Sequence, residues 1–324
     1  MSVFLGIDVG GTTIKIGLVS EQFELLTKIS IDTRADSENA DQITQRMMLT
    51  CEELLAKNGM TLADVLAIGL GAPGTILNKS GMYTFAGNLP FRDYPLREKI
   101  RKYYSGQIYF GNDANVAALA ESRIGAGQGT ANSVMITLGT GVGAGVIINN
   151  RVYSGFNEAG VEFGHIVINV DGEYCTCGRN GCWEAYVSAT GLIRQTKAAI
   201  NDNPDSILAQ VAKEQGKVNG KTVFLAVDRN CPVADRVFAR YAYYLQVGMA
   251  NLINSFMPEI IIMGGGISYE GDRLINSFKQ GALDEAMLFG VPMPDFKTAT
   301  LGNDAGMLGA AVFAFDCLTD GLVY

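Results

Sequence analysis

One sequence pattern occurs twice in this chain: an apolar run, a turn rich in glycine, and a second apolar run. The first copy spans residues 3–19 around DVGGTT, and the second spans residues 134–148 around GTGVGAG. Each copy predicts a β-hairpin, because glycine readily adopts the positive φ that a tight turn needs. Together they indicate an internal repeat. With 324 residues, of which 48% are hydrophobic, the chain can bury a large core and is expected to form two domains.

The turns of the two hairpins are candidate phosphate-binding sites. In the first turn, Gly10 and Gly11 let backbone N–H groups approach a ligand closely. Thr12 and Thr13 add hydroxyl donors, and Asp8 can hold Mg²⁺ through water. The motif alone does not distinguish a phosphate-binding turn from an ordinary hairpin, since most glycine-rich hairpins bind no ligand. Neither of the common nucleotide-binding motifs, G-x-G-x-x-G and the Walker loop, occurs in the sequence. Two such hairpins facing each other would bind two ends of a triphosphate.

A dense group of metal-binding side chains occupies residues 164–184, GHIVINVDGEYCTCGRNGCWE. This segment contains the single histidine of the chain and three of its six cysteines. One imidazole and three thiolates form the Cys3His donor set of tetrahedral zinc, and a zinc ion with all four positions filled is structural. Disulfide bonds are disfavoured, because the other three cysteines are isolated in the sequence. The predicted zinc ligands are His165, Cys175, Cys177 and Cys182.

Two carboxylates flank this cluster. Glu162 lies three residues before His165, and Glu184 lies two residues after Cys182. Because imidazole has two ring nitrogens, His165 can give one to zinc and direct the other at a polar ligand beside the glutamates. This arrangement predicts a site for a polyhydroxylated molecule. The alternative is a zinc knuckle that only stabilises a loop, with both glutamates solvated.

The segment IYFGNDANVAALAES contains a candidate catalytic carboxylate. It predicts a strand at 108–110 followed by a helix that starts near Asp113. A carboxylate at that position faces the positive end of the helix dipole, which favours the ionised form that a general base needs. The alternative is that Asp113 only caps the helix. Asn112 and Asn115 flank Asp113, and strand ends are where open α/β sheets bind ligands, which favours the catalytic role.

Charge and hydropathy argue against several classes of function. The formal net charge is -8, and none of the 25 lysines and arginines form a run, so a nucleic-acid surface is not expected. No apolar run reaches the roughly 18 residues of a membrane span. The N-terminus, MSVFLGIDVG, has no basic leader, so we expect a cytoplasmic protein without a membrane partner.

The remaining segments predict ordinary secondary structure. Residues 83–90 form an extended or loop segment that contains Asn88, and the polar residues 201–222 are expected to be a surface excursion. Short apolar runs predict strands at 65–70 and 260–263. Helices are predicted at 38–58, 95–104, 233–256, 273–288 and 302–315.

These motifs together resemble a known family. DVGGTTIK, LGTGVGAG, NDAN, EFGH and CTCGRNGCWE occur in the order found in the ROK sugar kinases, and the histidine and cysteine spacing is that family's signature. Within the family the chain is most similar to the bacterial glucokinases. The resemblance implies the actin/hexokinase-like (ribonuclease H-like) ATPase fold, with two α/β domains flanking a cleft and a zinc-binding loop. It also implies a smaller N-terminal domain, residues 1–113 and 301–324, and a larger domain, residues 114–300.

The resemblance further implies a role for individual residues. Asp113 is expected to be the general base that takes the proton of the sugar 6-hydroxyl, and Asp8 is expected to serve the Mg²⁺ that accompanies ATP. The residues expected to bind the other sugar hydroxyls are Asn88, Asn112, Glu162, His165 and Glu184. Those expected to bind the nucleotide are Gly10, Gly11, Thr12, Thr13 and Lys15 in the first phosphate loop, Thr140 and Gly141 in the second, and Gly264, Gly265 and Gly266 near the adenosine.

The implied activity is ATP-dependent phosphorylation of a hexose at its 6-hydroxyl, with glucose as the leading substrate. Kinases for N-acetylmannosamine, fructose or allose share the same motifs, and the segment around Asn88 varies among family members that prefer different sugars. Non-catalytic ROK regulators that bind sugar are another alternative, and so is an actin-like ATPase in which zinc is only structural. A homodimer is expected from the family.

Overall fold

The structure is a computed structural model that describes residues 2–320. The chain forms two compact units. The first unit consists of the chain up to Ala131, Gly145–Val161 and the chain from Thr300 onward, and the second consists of Asn132–Ala144 and Glu162–Ala299. Residue 113, where we predicted a domain boundary, falls inside the first unit, because the helix that begins there packs against the C-terminal helix of the same unit.

The elements are numbered in chain order. The strands are β1 (Val3–Val9), β2 (Thr13–Ser20), β3 (Leu25–Asp32), β4 (Val65–Ala72), β5 (Thr75–Leu77), β6 (Met82–Phe85), β7 (Arg92–Tyr94), β8 (Gln107–Asn112), β9 (Ser133–Leu138), β10 (Val142–Ile148), β11 (Arg151–Tyr153), β12 (Ile260–Gly264) and β13 (Asp295–Thr298). The α-helices are α1 (Ala40–Lys57), α2 (Leu96–Ile100), α3 (Asp113–Ile124), α4 (Glu184–Val187), α5 (Ala189–Asp202), α6 (Ile207–Glu214), α7 (Thr222–Asp228), α8 (Pro232–Phe256), α9 (Asp272–Glu285) and α10 (Ala305–Asp320).

A five-stranded mixed sheet forms the centre of the first unit, in the order β3-β2-β1-β4-β8. The first hairpin is antiparallel, with Asp8 opposite Lys15, whereas β1, β4 and β8 run parallel. Apart from Asp8, strand β1 is apolar and buried, as expected of a strand with both faces covered. Leu5 and Ile7 belong to the core that includes α1, whereas Phe4 belongs to the core that includes α10.

Helix α10 lies very close to this sheet. A Cβ built on Gly69 of β4 would lie 1.8 Å from the carbonyl oxygen of Ala310, and one built on Gly6 of β1 would lie 2.0 Å from that of Met307. The helix approaches α3 equally closely, since a Cβ on Gly309 would lie 1.8 Å from the carbonyl oxygen of Val116. The helix predicted at 302–315 is therefore present as α10, and glycines allow its close approach to the sheet and to α3.

The first unit also contains a three-stranded antiparallel sheet, β5-β6-β7. Tyr83 of this sheet is fully buried and stacks on Phe91 with ring centroids 4.8 Å apart. Asn88 lies in the loop between β6 and β7, as predicted. Helix α2 is shorter than the predicted 95–104, because residues 101–103 form a turn rather than a continuing helix.

The second five-stranded sheet has the order β11-β10-β9-β12-β13, with β9, β12 and β13 parallel. This order matches that of the first sheet strand for strand: a hairpin and a third strand on one side, and two parallel strands on the other. The internal repeat inferred from the two glycine-rich hairpins is therefore confirmed. The boundary between the two units falls within β10.

Helices α4 to α9 belong to the second unit. The long helix α8, predicted at 233–256, buries Tyr241, Leu245 and Leu252. The expectation that residues 201–222 form only a surface excursion is wrong. Helix α6 lies within that segment and buries Leu208 and Val211, because two apolar residues three apart suffice to attach a short helix to the core.

Across residues 2–320, every helix is too short or too polar to cross a membrane.

Candidate active site

The first glycine-threonine turn is closed by backbone and hydroxyl hydrogen bonds. Gly10 N–H donates to the carbonyl oxygen of Thr13 at 3.0 Å, and the Thr33 hydroxyl donates to that of Gly10 at 2.6 Å. Thr33 N–H donates in turn to the carbonyl oxygen of Thr12 at 2.8 Å. Thr33, which directly follows β3, therefore holds the turn in place. The sequence did not indicate this contact.

Asp8 and Lys15 place opposite charges beside this turn. Lys15 Nζ lies 3.5 Å from Asp8 Oδ2 and donates to the carbonyl oxygen of Asn303 at 2.8 Å. Burial raises the pKa of Asp8, the Lys15 ammonium group opposes that rise, and the negative charge of Asp113 adds to it. Gly306 leaves room for the carboxylate, since a Cβ there would lie 2.8 Å from Asp8 Cγ. Asn303 and Gly306 carried no signal in the sequence that would assign them to this site.

Asp113 is the first residue of α3, but it does not cap the helix. Asn112 is the N-cap, and its side-chain oxygen accepts from Ala114 N–H at 3.0 Å and Asn115 N–H at 3.3 Å. The carboxylate of Asp113 is thus not required for capping. We expected the helix dipole to favour its ionised form. The pKa of Asp113 is instead raised, because burial outweighs the hydrogen bond from Ala114 N–H.

Asn88 lies near the first turn, and Tyr83 lies near Asp113. A Cβ built on Gly11 would lie 2.4 Å from Asn88 Nδ2, so the amide of Asn88 rests against the first turn. Burial raises the pKa of Tyr83, and the negative charge of Asp113 raises it further. In the first unit, Asn88 therefore lies against the first turn, and the negative charge of Asp113 acts on both Asp8 and Tyr83.

In the second unit, the four predicted zinc ligands converge. The ligand atoms of His165, Cys175, Cys177 and Cys182 all lie within 4.8 Å of one another. The thiol sulfurs of Cys177 and Cys182 are 3.6 Å apart, and Cys175 Sγ lies 3.6 Å from Nδ1 of His165. Zn–S bonds of 2.3 Å at tetrahedral angles require sulfurs about 3.8 Å apart. The cluster therefore fits a tetrahedral metal ion, with Nδ1 as the ligand atom of the histidine.

Glu184 connects this cluster to the second glycine-threonine turn. Its Oε2 accepts from Val142 N–H at 2.8 Å, and its Oε1 lies 3.7 Å from Cys175 Sγ. A Cβ built on Gly141 would lie 2.4 Å from Glu184 Oε2. The alternative interpretation, in which both glutamates are only solvated, is therefore wrong for Glu184. Glu184 is half-buried at the start of α4.

The second turn is held from the start of α5 as well. Ala189 N–H donates to the carbonyl oxygen of Gly139, and the Thr190 hydroxyl donates to that of Thr140, both at 2.8 Å. Gly265 approaches the same turn, since a Cβ there would lie 2.6 Å from the Leu138 backbone, and its φ of +82° favours glycine. The structure thus brings Gly265, predicted near the adenosine, next to the second predicted phosphate loop.

Glu162 directly precedes a short 3₁₀ turn, Phe163–His165, and His165 is the last residue of that turn. Glu162 is exposed and His165 is half-buried. Val161, immediately before them, has a φ of +73°, which is unusual for a β-branched residue. Such strain is often found at functional sites.

Comparison with known proteins identifies the relatives of this arrangement. The chain matches the ROK family over residues 4–316. The chain belongs to the ROK family. It is 39% identical over 307 residues to a glucokinase of Halalkalibacterium halodurans, covering 94% of this chain and 93% of that protein. Its family membership confirms the predicted actin/hexokinase-like fold.

Two other ROK proteins show the range of relatives. The crystal structure of a ROK glucokinase from Streptomyces griseus, in complex with glucose and AMPPNP, has a TM-score of 0.77 at 34% identity and covers 97% of this chain and 99% of that one. A xylose repressor of Bacillus subtilis is 27% identical over 320 residues, covering 98% of this chain and 78% of that protein. ROK membership therefore includes both kinases and repressors.

Proposed function

We propose that this ROK protein transfers the γ-phosphoryl group of ATP to the 6-hydroxyl of a hexose, with glucose as the favoured substrate. The observation that carries the proposal is Asp113, a half-buried carboxylate with a raised pKa at the junction of β8 and α3, which the helix does not use as its cap. A base with a raised pKa takes a proton more readily, provided that it is ionised at the working pH. The likeness to two glucokinases, one of them solved with glucose and AMPPNP, supports the proposal.

In this mechanism Asp113 accepts the proton of the 6-hydroxyl while that oxygen attacks the γ-phosphorus and the bond to ADP breaks. Most of the rate enhancement of phosphoryl transfer comes from positioning and from stabilising the charge on the transferred group. Backbone N–H groups of the two turns, at Gly10–Thr13 and Thr140–Gly141, and the ammonium group of Lys15 would stabilise that charge. The residues proposed to orient the sugar are Asn88, Asn112, Glu162, His165 and Glu184, and those proposed to contact the adenosine are Gly264, Gly265 and Gly266.

Asp8 is proposed to hold the Mg²⁺ that accompanies ATP. Burial and the neighbouring charge of Asp113 raise the pKa of Asp8, and the ammonium group of Lys15, 3.5 Å away, only partly compensates. A divalent cation beside Asp8 would stabilise both carboxylates, which is the fit expected of a magnesium site. When bound, Mg²⁺ supplies positive charge next to the phosphate oxygens.

The Cys3His cluster is proposed to hold structural zinc. Its four ligand atoms lie within 4.8 Å of one another, and the Cys177–Cys182 sulfur separation of 3.6 Å is close to that of a tetrahedral zinc site, which supports the proposal. Zinc would fix the ring of His165 through Nδ1 and leave Nε2 available for a sugar hydroxyl. It would also fix Cys175, which lies beside Glu184.

The competing function is a sugar-binding regulator without kinase activity, which the likeness to a xylose repressor favours. One coupled assay separates the possibilities: ADP release from ATP with a panel of hexoses and N-acetylhexosamines. Release that depends on glucose supports the proposal, and release that depends on N-acetylmannosamine, fructose or allose reassigns the substrate. Saturable sugar binding without ADP release supports the regulator, and release without any sugar supports an ATPase.

We also propose a cytoplasmic homodimer. All six cysteines are free thiols, which suits a reducing compartment. Apolar side chains remain exposed in the second unit, including Phe289 at 83% and Met293 at 66%. Sedimentation velocity at micromolar concentration tests the oligomeric state, and a purely monomeric distribution would overturn it. The predicted domain boundary near residue 301 stays a proposal of the same kind, whereas residue 113 lies inside the first unit.

A further inference from the structure

A cavity of about 480 Å³ lies in the second unit between α5 and α8, lined by residues that take no part in the proposed reaction. Charged and amide side chains surround an otherwise apolar lining, and they are Glu173, Arg194, Gln195, Asp202, Asn203, Arg236 and Arg240. Three guanidinium groups against two carboxylates leave this cavity with a positive balance in a chain whose net charge is -8. The volume falls within the range of small-molecule sites, roughly 300–1,000 Å³.

The three arginines differ in how far their charge is compensated. Arg194 forms an ion pair with Glu173 at 2.7 Å and donates to the carbonyl oxygen of Ala185 at 3.0 Å, so it is already engaged. Arg240 lies over the ring of Tyr244, 5.7 Å from its centroid. Within residues 2–320, the guanidinium group of Arg240 has no carboxylate within ion-pair distance. The guanidinium group of Arg236 forms neither an ion pair nor a hydrogen bond there.

Arg236 and Arg240 are four residues apart on α8 and therefore lie on one face of the helix, where like charges repel. That repulsion is relieved when an anion binds between them. A phosphate monoester carries about two negative charges at neutral pH and matches two guanidinium groups, each of which presents a planar pair of donors to phosphate oxygens. A carboxylate carries only one charge and suits this pair less well.

The cavity also offers a hydrogen-bond acceptor. Asp202 forms no ion pair with the arginines, since no such pair within 4.0 Å is found among residues 2–320. Its carboxylate would bind the hydroxyl groups of a ligand. Gln195 adds no acceptor, because its side-chain oxygen is fully buried, and its amide nitrogen donates to the carbonyl oxygens of Tyr186 and Gly191.

We propose that this cavity is an accessory binding site for a phosphate monoester of a small polyhydroxylated molecule, with Arg236 and Arg240 on the phosphate and Asp202 on the hydroxyls. The proposal does not depend on the proposed kinase activity, because neither the glycine-threonine turns nor Asp113 line the cavity.

Isothermal titration calorimetry with glycerol 3-phosphate tests the site, with glycerol as the neutral control. The variant Arg236→Gln/Arg240→Gln removes both phosphate contacts. The matched control is Lys217→Gln/Arg229→Gln, which makes the same change in charge at exposed positions of the same unit outside the cavity. We expect saturable binding to the wild-type protein, weakening by at least about tenfold in the first variant, and a change of less than about twofold in the control.

Three results would overturn the proposal: no saturable binding to the wild-type protein, unchanged binding in the cavity variant, or equal weakening in both variants. The second result would place phosphate at another site, such as the proposed phosphate loops, and the third would indicate a general charge effect. The single variant Arg236→Gln replaces an exposed side chain without partners and guards against misfolding, since it should weaken binding while leaving the melting temperature unchanged. Failure of the kinase assay would not affect any of these measurements.

Discussion

The two glycine-threonine turns share one local plan, yet different surroundings hold them. The first turn is bordered by the charges of Asp8 and Lys15 and lies in the unit that contains Asp113. The second turn is bordered by the carboxylate of Glu184, which accepts from Val142 N–H and lies next to the cysteine cluster. The repeated sheet therefore supplies the same backbone twice. The chemistry differs because the first hairpin carries its own charges, Asp8 and Lys15, whereas the second turn takes its carboxylate from α4, outside the repeat.

This contrast suggests a division of labour under the proposed function. The region around the first turn contains the proposed base and the proposed magnesium ligand, so changes there should lower turnover. The region around the second turn contains the carboxylate of Glu184 beside the Cys3His cluster that is proposed to bind zinc, so changes there should mainly weaken sugar binding. The predictions below test this division from the largest expected effect to the smallest.

The largest effect is expected for Asp113→Asn, which removes the base but keeps the shape of the side chain. General-base catalysis contributes about 10²–10⁴-fold, so kcat should fall by that factor while the sugar KM changes little. The coupled ADP assay measures both constants, and circular dichroism checks the fold. Asp304→Asn is the matched control, because it removes an aspartate of the same unit whose partner is the exposed Lys28. Near-normal turnover in Asp113→Asn would remove the assigned role.

The sequence predicted the parts of this site that depend on local pattern. The two hairpins, the start of α3 at Asp113 and the four converging metal ligands all follow from spacing within about twenty residues. It did not predict the contact of Lys15 with the Asn303 carbonyl, 288 residues away, or the hydrogen bond from Val142 N–H to Glu184. Such contacts arise from tertiary packing, and no periodicity records them.

The raised pKa of Asp113 was missed for a similar reason. The position of Asp113 at a helix start is visible in the sequence, and the helix dipole alone would lower the pKa of its carboxyl group. Burial depends on the elements that cover the residue, and here it dominates. Helix α6 was missed because two buried residues, Leu208 and Val211, are too few to stand out in a polar segment.

The next largest effect is expected on the sugar KM when Glu184, beside the second turn, is replaced. Two variants are compared, Glu184→Ala and Glu184→Gln. Alanine leaves Val142 N–H without its acceptor, which costs about 1–3 kcal/mol, equivalent to roughly 5–150-fold in an equilibrium constant. We expect Glu184→Ala to raise the sugar KM within that range and Glu184→Gln to raise it less, because the amide oxygen still accepts. Steady-state kinetics at saturating ATP measure both.

Glu214→Ala serves as the control for these variants, since Glu214 is an exposed glutamate of the same unit paired only with Arg229. A fall in kcat with an unchanged sugar KM would contradict the assignment of positioning to the second region and chemistry to the first.

A smaller effect is expected from loss of the metal. Cys177→Ser should lower the zinc content, measured by inductively coupled plasma mass spectrometry. It should also raise the sugar KM by about tenfold, because His165 and Cys175 lose the metal ion that they would bind together. The KM for ATP should change less. Thr176→Ser, in the same loop but outside the ligand set, should leave all three quantities unchanged. Unaltered sugar kinetics in a verified zinc-free protein would show that the cluster does not position the sugar.

The smallest effect is a pH dependence of stability at the first turn. Because burial raises the pKa of Asp113, the folded state holds the proton to a higher pH than the unfolded chain, whose carboxyl group titrates near 3.8. The neutral side chain is therefore favoured in the folded protein, and stability from this group is lost as pH rises through the folded pKa. Asp113→Asn stays neutral, so its urea midpoint should exceed that of the wild-type protein at pH 8 and the difference should narrow at pH 5. A wild-type advantage that grows with pH would mean that the carboxylate is stabilised in its ionised form, and burial would then not be the dominant influence on this base.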